Sequence, residues 1–160
     1  MRLPSGSLFL VMKLEKEIKQ AKFRNVHQKA VINLLFTASW LENNHNKFFK
    51  RHGITGIQFN ILRILRGQYP NKVSGAQLKL RMLDKNSDVS RLLDRLIAKK
   101  LIEKSICTHD KRASDVVITK KGLHLLKSID SEIDKTDSEA LAITASEAKQ
   151  LSDLLDKCRG

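Results

Sequence analysis

The sequence is poor in the residues that mark secreted proteins, membrane proteins and single-strand binders. Only two of its 160 residues are cysteine, Cys107 and Cys158, which is too few for a disulfide framework and indicates a reducing compartment. Aromatic residues make up 5% of the chain, which argues against a platform on which unpaired bases would stack. No stretch approaches the roughly 20 apolar residues that cross a bilayer. We therefore expect a cytoplasmic protein that does not enter membranes.

Catalytic motifs of the common enzyme classes are also absent from the sequence. It contains no H-E-x-x-H, no G-x-S-x-G, no phosphate-binding glycine loop and no spaced C-x-x-C pair. Cys107, His109 and Asp110 lie close together, but they lack the fourth ligand that a structural metal site needs. We expect no enzymatic activity, no metal and no other cofactor, and we expect both cysteines to be unreactive.

Positive charge is abundant and unevenly distributed. The chain has 30 basic and 17 acidic side chains, a formal net charge of +13. Residues 54–121 carry 15 basic and 6 acidic side chains, whereas residues 122–160 carry 5 and 8. This distribution is expected when one surface meets a polyanion and another meets protein. Charge alone would equally suit an acidic protein partner or a membrane surface. Sequence motifs are needed to distinguish these partners from a nucleic acid.

An amphipathic helix followed by a basic hairpin is predicted within residues 87–122. Apolar residues recur there with the period of one helix face: Val89, Leu92, Leu93, Leu96 and Ile97. The opposite face is polar: Asp88, Ser90, Arg91, Asp94, Arg95 and Lys99. From Leu101 the pattern alternates as in two strands, on either side of the polar turn THDKRAS. This order is the second half of a winged helix-turn-helix, whose helix enters a major groove and whose hairpin reaches a minor groove.

The same segment resembles the core of the MarR family of transcriptional regulators. The resemblance is carried by RLLDRL, LIEKS, DKR and VVITKKG in this order, and it extends more loosely from about Ala30 to the C-terminus. It implies a D-x-R wing, a T-x-x-G entry into the next helix at Thr119 and Gly122, and a dimer in which the first helix interlocks with the last two.

Helix signals also flank this segment. Residues 14–51 lack proline and glycine and have apolar residues at spacings of three and four, which predicts a long helix, broken once near its start, that ends at Gly53. Thr55, Ser74 and Thr144 are each followed three residues later by Gln or Glu, so they predict three capping boxes. Residues 67–73 are predicted to be a turn, and residues 123–142 a helix.

We predict a mainly α-helical fold with a small β-hairpin wing, in which a winged helix-turn-helix core carries N- and C-terminal dimerisation helices. Residues 1–13 are a loose N-terminal extension, residues 14–53 the long helix, residues 54–122 the DNA-binding core and residues 123–160 the C-terminal helices. The apolar stripes of the terminal helices exceed what the small core can cover, so we expect them to pair with a second copy. A two-fold dimer would present two recognition helices about one DNA turn apart.

The start of the predicted recognition helix carries the candidate base-reading residues. Ser87 is the expected N-cap, with Asn86 as the alternative, and the free amides of this turn can face a phosphate. Asp88, Ser90 and Arg91 lie where side chains reach base edges, and Arg91 suits a bidentate contact with guanine. Arg95, one turn later, is expected to meet phosphate. The alternative is that the two arginines only pair with neighbouring acidic residues: Asp88, Asp94 and Glu103.

The predicted wing and turn supply further cationic candidates. Asp110 and Arg112 match the family's D-x-R, which implies that Arg112 enters the minor groove and that Asp110 steadies a neighbouring arginine. Lys111 is expected to add charge with little sequence reading. Phosphate candidates surround the turn before the recognition helix: Lys72, Lys79, Arg81 and Lys85. A solvated role is the alternative for each of these four.

A regulatory ligand is a further expectation from the family resemblance. MarR-like proteins often hold a small aromatic or anionic ligand between the dimer helices and the winged core. Here that cleft would be lined by Trp40, His45 and Phe49. A lone histidine on an apolar stripe is alternatively an ordinary core residue.

Two function hypotheses follow from the sequence. The first is a homodimeric, sequence-specific regulator that binds double-stranded DNA at a pseudo-palindromic operator, represses transcription and is released by a small molecule. The second is a winged-helix interaction module that uses its basic face on protein partners and reads no DNA sequence. A recognition helix that begins with Ser, Asp, Ser and Arg favours the first, because acidic or bulky apolar side chains would favour the second.

Overall fold

The computed structural model of the chain describes residues 12–106 and 114–160. Within these residues the chain forms seven helices and three short strands, in the following order: α1 (Leu14–Glu17), α2 (Val26–Arg51), α3 (Gly56–Gln68), β1 (Val73–Ser74), α4 (Gly75–Arg81), α5 (Val89–Ala98), β2 (Ile102–Ile106), β3 (Ser114–Ile118), α6 (Lys120–Leu141) and α7 (Ala145–Arg159). The predicted fold class, mainly helical with a small β wing, is confirmed. No helix in the described ranges combines the length and apolar character needed to cross a membrane.

The chain divides after Glu42 into two compact units. In the first, the predicted break in the long helix is confirmed and lies between α1 and α2. Lys19 adopts a left-handed backbone conformation with φ of 53°, and the Asn25 side-chain oxygen accepts a hydrogen bond from the Gln28 amide at 2.9 Å. Because an accepting side chain at this position satisfies a free amide of the first turn, Asn25 starts α2 afresh.

The second unit, from Asn43 onwards, contains the hydrophobic core. Its fully buried side chains come from α3, α4, α5, the sheet and α6: Ile61, Leu62, Leu65, Leu78, Leu96, Ile102, Val116, Ile118, Leu126 and Ile129. The capping boxes predicted at Thr55, Ser74 and Thr144 are all present. The starts of α3, α4 and α7 are therefore set by local hydrogen bonds, and the apolar faces of α3 and α4 then meet in one core.

A three-stranded antiparallel sheet closes one side of this core, with strand order β1-β3-β2. Ile102 faces Ile118 across the wing, and Val73 faces Val116 on the other side of β3. Strand β1 was not predicted, because two residues are too few to show alternation and Val73 lay in a segment predicted as a turn. Its pairing with β3 attaches the start of α4 to the wing.

The junction between the wing and α6 depends on a close approach around the Leu101 carbonyl. Thr119 caps α6, since its hydroxyl accepts a hydrogen bond from the Gly122 amide at 3.1 Å. The same hydroxyl donates to the Lys100 carbonyl at 2.9 Å, and the Thr119 amide donates to the Leu101 carbonyl at 3.1 Å. A Cβ atom on Gly122 would lie 2.3 Å from the Leu101 carbonyl oxygen. The T-x-x-G sequence thus places α6 directly against the end of the recognition helix.

Gly122→Ala should destabilise the fold by about 2–3 kcal/mol or more, because the clash is with backbone that can move little. The free energy of unfolding in urea measures the change. Gly67→Ala is the control, since a Cβ there meets nothing within 4 Å and replacing a helical glycine should stabilise by about 0.5–1 kcal/mol. Equal effects of the two substitutions would refute the close approach.

Lys100 ends the recognition helix in the left-handed conformation, with φ of 60°. The amides of Lys100 and Leu101 donate back to the carbonyls of Ile97 and Leu96, at 2.8 and 3.0 Å. Glycine is the residue that favours this position, because its lack of a Cβ removes the steric cost.

Lys100→Gly should therefore raise the free energy of unfolding by about 1 kcal/mol. Lys120→Gly, which removes the same side chain from the first turn of α6, should lower it by up to about 1 kcal/mol. Thermal and urea denaturation of both variants would measure these changes. A loss of stability in Lys100→Gly would show that the side chain itself contributes more than the strain costs.

Candidate nucleic-acid interface

Helices α4 and α5 and the turn between them form the helix-turn-helix. Buried Leu78 and Met82 hold α4 on the core, and buried Leu93 and Leu96 do the same for α5. Because these residues lie on one face of each helix, the polar face of α5 is left in solvent. The predicted amphipathic recognition helix is confirmed over Val89–Ala98.

The N-cap of α5 is Asp88, and the prediction of Ser87 or Asn86 is wrong. The Asp88 carboxylate accepts a hydrogen bond from the Arg91 amide at 3.1 Å. The Ser87 hydroxyl is occupied elsewhere, since it donates to the Asp84 carboxylate at 2.5 Å. A carboxylate at this position also interacts favourably with the positive end of the helix dipole.

Asp84 organises the turn before α5. Its carboxylate accepts hydrogen bonds from the Ser87 hydroxyl and from the Asn86 amide, the latter at 2.9 Å. These two bonds, the hydroxyl first, lower the pKa of Asp84 below its ordinary value. The stability contributed by the ionised carboxylate is therefore present at neutral pH and is lost as the pH falls through the lowered pKa. On the other side of the turn the Leu83 amide donates to the Asn60 side chain at 3.2 Å, so the recognition helix begins from a fixed turn.

The polar residues of α5 are presented to solvent. Ser90, Arg91 and Arg95 are exposed. Arg91 lies 3.9 Å from the Asp88 carboxylate, with both side chains more than half exposed, which is a weak ion pair. For Arg95 the described residues contain no ion pair. The alternative of mutual pairing thus has one weak contact in its favour, and neither guanidinium is committed to a strong partner in the described part of the chain.

Four further cationic candidates lie near this helix-turn-helix. Lys72 precedes β1, Lys79 and Arg81 lie on α4, and Lys85 lies in the turn; all four are exposed. The candidate wing residues Asp110, Lys111 and Arg112 lie outside the described residues, as do Cys107 and His109. Among residues 12–106 and 114–160, no group of three or more His, Cys, Asp or Glu side chains could hold a metal. Cys158 is exposed on α7.

The three candidate ligand-cleft residues have different surroundings. In the first unit Trp40 lines a cavity of about 300 Å³ together with Met12, Leu14, Glu17, Asn33, Phe36 and Thr37. In the second unit Phe49 is 2% exposed and stacks on Phe59 with 4.5 Å between ring centroids. His45 bonds to the Asp137 carboxylate at 3.1 Å and meets the edge of Phe49. Phe49 is therefore a core residue, and His45 is anchored to α6.

The sequence placed Lys99 on the polar face of α5 but assigned it no role. Its ammonium donates to the Gly53 carbonyl at 2.5 Å and to the Gln58 side-chain oxygen at 3.2 Å. Gln58 is the one buried polar side chain of the described residues, and its oxygen also accepts the Thr55 amide as part of a capping box. Lys99 therefore ties the C-terminal end of the recognition helix to the start of α3, a tertiary contact that no local pattern signals.

Asp88→Ala should lower the free energy of unfolding by about 1 kcal/mol, because it removes the N-cap of α5. Asn86→Ala, at the competing position, should stay within about 0.5 kcal/mol of the unsubstituted chain. Urea denaturation of both variants checks the assignment. A larger loss of stability in Asn86→Ala than in Asp88→Ala would show that Asn86 is the N-cap of α5.

Comparison with known proteins shows which family these features resemble. Residues 52–113 match the model of the MarR family, which spans α3, α4, the recognition helix and most of the wing. A MarR-like transcription regulator from Bacillus cereus superposes with a TM-score of 0.74 at 24% identity, covering 83% of this chain and 95% of that one.

Two further structures extend the likeness over most of the chain. A MarR transcription factor from Planctomyces limnophilus has a TM-score of 0.67 at 25% identity, covering 86% of this chain and 98% of its own. A mutant MarR from E. coli, complexed with operator DNA, has a TM-score of 0.69 at 23% identity, covering 92% and 99%. Residues 52–113 therefore resemble the MarR family model, and the chain shares the fold of these solved MarR-type transcription regulators.

Proposed function

We propose that this protein is a MarR-family transcriptional regulator that binds double-stranded DNA sequence-specifically, as a homodimer in the cytoplasm, and represses transcription from a pseudo-palindromic operator. The observation that supports this most is the start of α5, where Ser90, Arg91 and Arg95 are exposed on a helix whose cap and preceding turn are fixed by Asp88 and Asp84. A rigid element that presents uncommitted donors can distinguish base edges, because little order has to be created on binding.

The chemistry of each side chain suggests its role. Arg91, in the first turn of α5, can donate two parallel hydrogen bonds to guanine. Arg95, one turn further along, can neutralise a phosphate. The wing residues Asp110, Lys111 and Arg112 keep the roles implied by the family resemblance, with Arg112 in the minor groove. An arginine suits a narrow groove because its planar cation is more weakly hydrated than an ammonium.

The exposed cations around the helix-turn-helix support electrostatic attraction to the duplex. Lys72, Lys79, Arg81 and Lys85 add to a segment, residues 54–121, that has nine more basic than acidic side chains. Such charge releases counterions on binding and makes the affinity fall steeply with salt. It positions the protein on the backbone and leaves sequence reading to α5.

Dimerisation through residues 14–53 and 123–160 is supported by apolar side chains that remain exposed in each unit. In the first unit Val31, Leu34 and Leu35 of α2 are all exposed. In the second unit α7 buries none of its residues, and Leu151 and Leu154 on its apolar stripe are exposed. Apolar surface of this extent on a helical regulator is expected to meet a second copy.

One observation favours the alternative, a winged-helix module that binds protein. Leu80 on α4 and Leu83 in the following turn are 76% and 88% exposed. Exposed apolar side chains among lysines and arginines form a surface that could bind a protein with apolar and acidic groups. The two functions differ in whether any DNA sequence is preferred.

Release by a small aromatic or anionic ligand completes the proposal. Trp40, His45 and Phe49 remain the predicted cleft, although the burial of Phe49 limits what its ring can offer to a ligand.

Selection from a random pool of duplexes at physiological salt tests the proposed function. A homodimeric reader should enrich a palindrome whose half-sites are about 10 base pairs apart, since two recognition helices are separated by about one turn of DNA. If no sequence is enriched, the proposal of sequence-specific DNA binding is wrong. The alternative, a protein partner that binds the surface of Leu80 and Leu83, is then favoured.

Arg91→Ala should weaken binding to the selected duplex by about 1–3 kcal/mol and relax discrimination at one base position. Arg112→Ala should weaken binding to every duplex and reduce the salt dependence by about one unit. Fluorescence anisotropy with single-base variants of the duplex measures both. If Arg91→Ala weakened all sequences equally, its role as a base reader would be wrong.

A further inference from the structure

A second cavity lies in the second unit, which contains the winged core and is called the winged unit below. It lies between the end of α2, the end of the recognition helix and the first turns of α6. Its volume is about 410 Å³, within the range of roughly 300–1,000 Å³ that small-molecule sites occupy. Ile54, Leu101 and Leu125 form its apolar walls. Its polar lining is dominated by groups that carry or can acquire positive charge: Lys99, Lys121, His52 and His124.

The two lysines have hydrogen-bond donors to spare. Each ammonium has three donors. Lys99 uses two of them on the Gly53 carbonyl and the Gln58 side chain, and Lys121 uses one on the Lys99 carbonyl at 3.0 Å. All these acceptors are neutral, and neither lysine forms an ion pair within the described ranges. Two uncompensated charges thus face one cavity with three donors unassigned.

The histidines of the cavity add to this polarity. The buried Nε2 atom of His52 has no hydrogen-bond partner in the described part of the chain. The Glu132 carboxylate lies 3.9 Å from it, beyond hydrogen-bonding distance, and is the acidic group that faces it. His124, one turn after Lys121 on α6, is exposed. A buried nitrogen with no hydrogen-bond partner in the described residues, on a residue that lines the same cavity as two lysines, favours an acceptor-rich anion.

We propose that this cavity binds a small phosphomonoester that carries a compact apolar group. A phosphomonoester has a charge of about −1.5 to −2 near neutral pH and three strong acceptor oxygens, which match the two lysine charges and their three unassigned donors. Its apolar group would contact the walls formed by Ile54, Leu101 and Leu125. The residues of the predicted cleft, Trp40, His45 and Phe49, do not line this cavity.

Binding there affects the recognition helix through Lys99. A phosphate bound to the unassigned donor of Lys99 draws the ammonium away from Gly53 and Gln58, because a charged acceptor forms a stronger hydrogen bond than a neutral one. The tie between the end of α5 and the start of α3 then weakens. This regulatory step rests on the proposed DNA binding, whereas occupancy of the cavity does not.

Calorimetric titration of phenyl phosphate into the DNA-free protein tests occupancy. Lys121→Met should weaken binding about tenfold or more, as expected for the loss of a charge-assisted hydrogen bond. His124→Glu should also weaken it, by placing a negative charge at the cavity. Lys127→Met is the matched control, since it removes one exposed α6 charge that does not line the cavity, and it should leave the affinity within about twofold. Thermal denaturation verifies that each variant is folded.

Three results would overturn the site: no saturable binding of phenyl phosphate, equal weakening by Lys121→Met and Lys127→Met, or equal affinity for benzoate. Equal affinity for inorganic phosphate would show that the apolar group of the ligand does not contribute to binding. Phenyl phosphate should also lower the affinity of the unsubstituted protein, but not of Lys121→Met, for the selected duplex. Binding without that effect would overturn the coupling alone. If no duplex is bound at all, the proposed function fails while the calorimetry still decides the site.

Discussion

The Leu101 carbonyl is the point on which the arrangement of the winged unit depends. It lies between the end of the recognition helix and the start of β2, and it accepts the Thr119 amide from the end of β3. The absence of a side chain at Gly122 lets α6 approach it closely. Because three elements meet at one backbone group, the orientation of α5 is linked to that of α6. The linkage also explains why a threonine and a glycine three residues apart follow the wing.

The two ends of the recognition helix are held in different ways. At its start, Asp88 and Asp84 use carboxylates to satisfy backbone amides and a hydroxyl. At its end, Lys99 donates to a carbonyl and a buried amide side chain. Each polar group satisfies a neighbour that would otherwise be costly to bury or leave unpaired. The guanidinium groups of Arg91 and Arg95 take no part in these contacts.

Local features of the fold could be predicted from the sequence because their causes are local. The boxes at Thr55, Ser74 and Thr144 need residues only three positions apart, and the stripe of α5 follows from helical periodicity. Strand β1 and the role of Lys99 could not be predicted, since both depend on partners distant in sequence. The cap of α5 was placed one residue too early because Ser87, the better local candidate, bonds to Asp84 instead. The candidate base-reading residues could be predicted from periodicity and charge. The basic cavity could not be predicted, because it forms only where three helix ends pack together.

The preference of the protein for its selected duplex over a scrambled duplex of equal length is the most direct test of sequence-specific DNA reading. Both dissociation constants should be measured at physiological salt, because electrostatic binding alone changes steeply with ionic strength. A regulator that reads bases through α5 should prefer the selected duplex by ~10³ or more. Equal affinities for the two duplexes would contradict the account and leave only a basic surface.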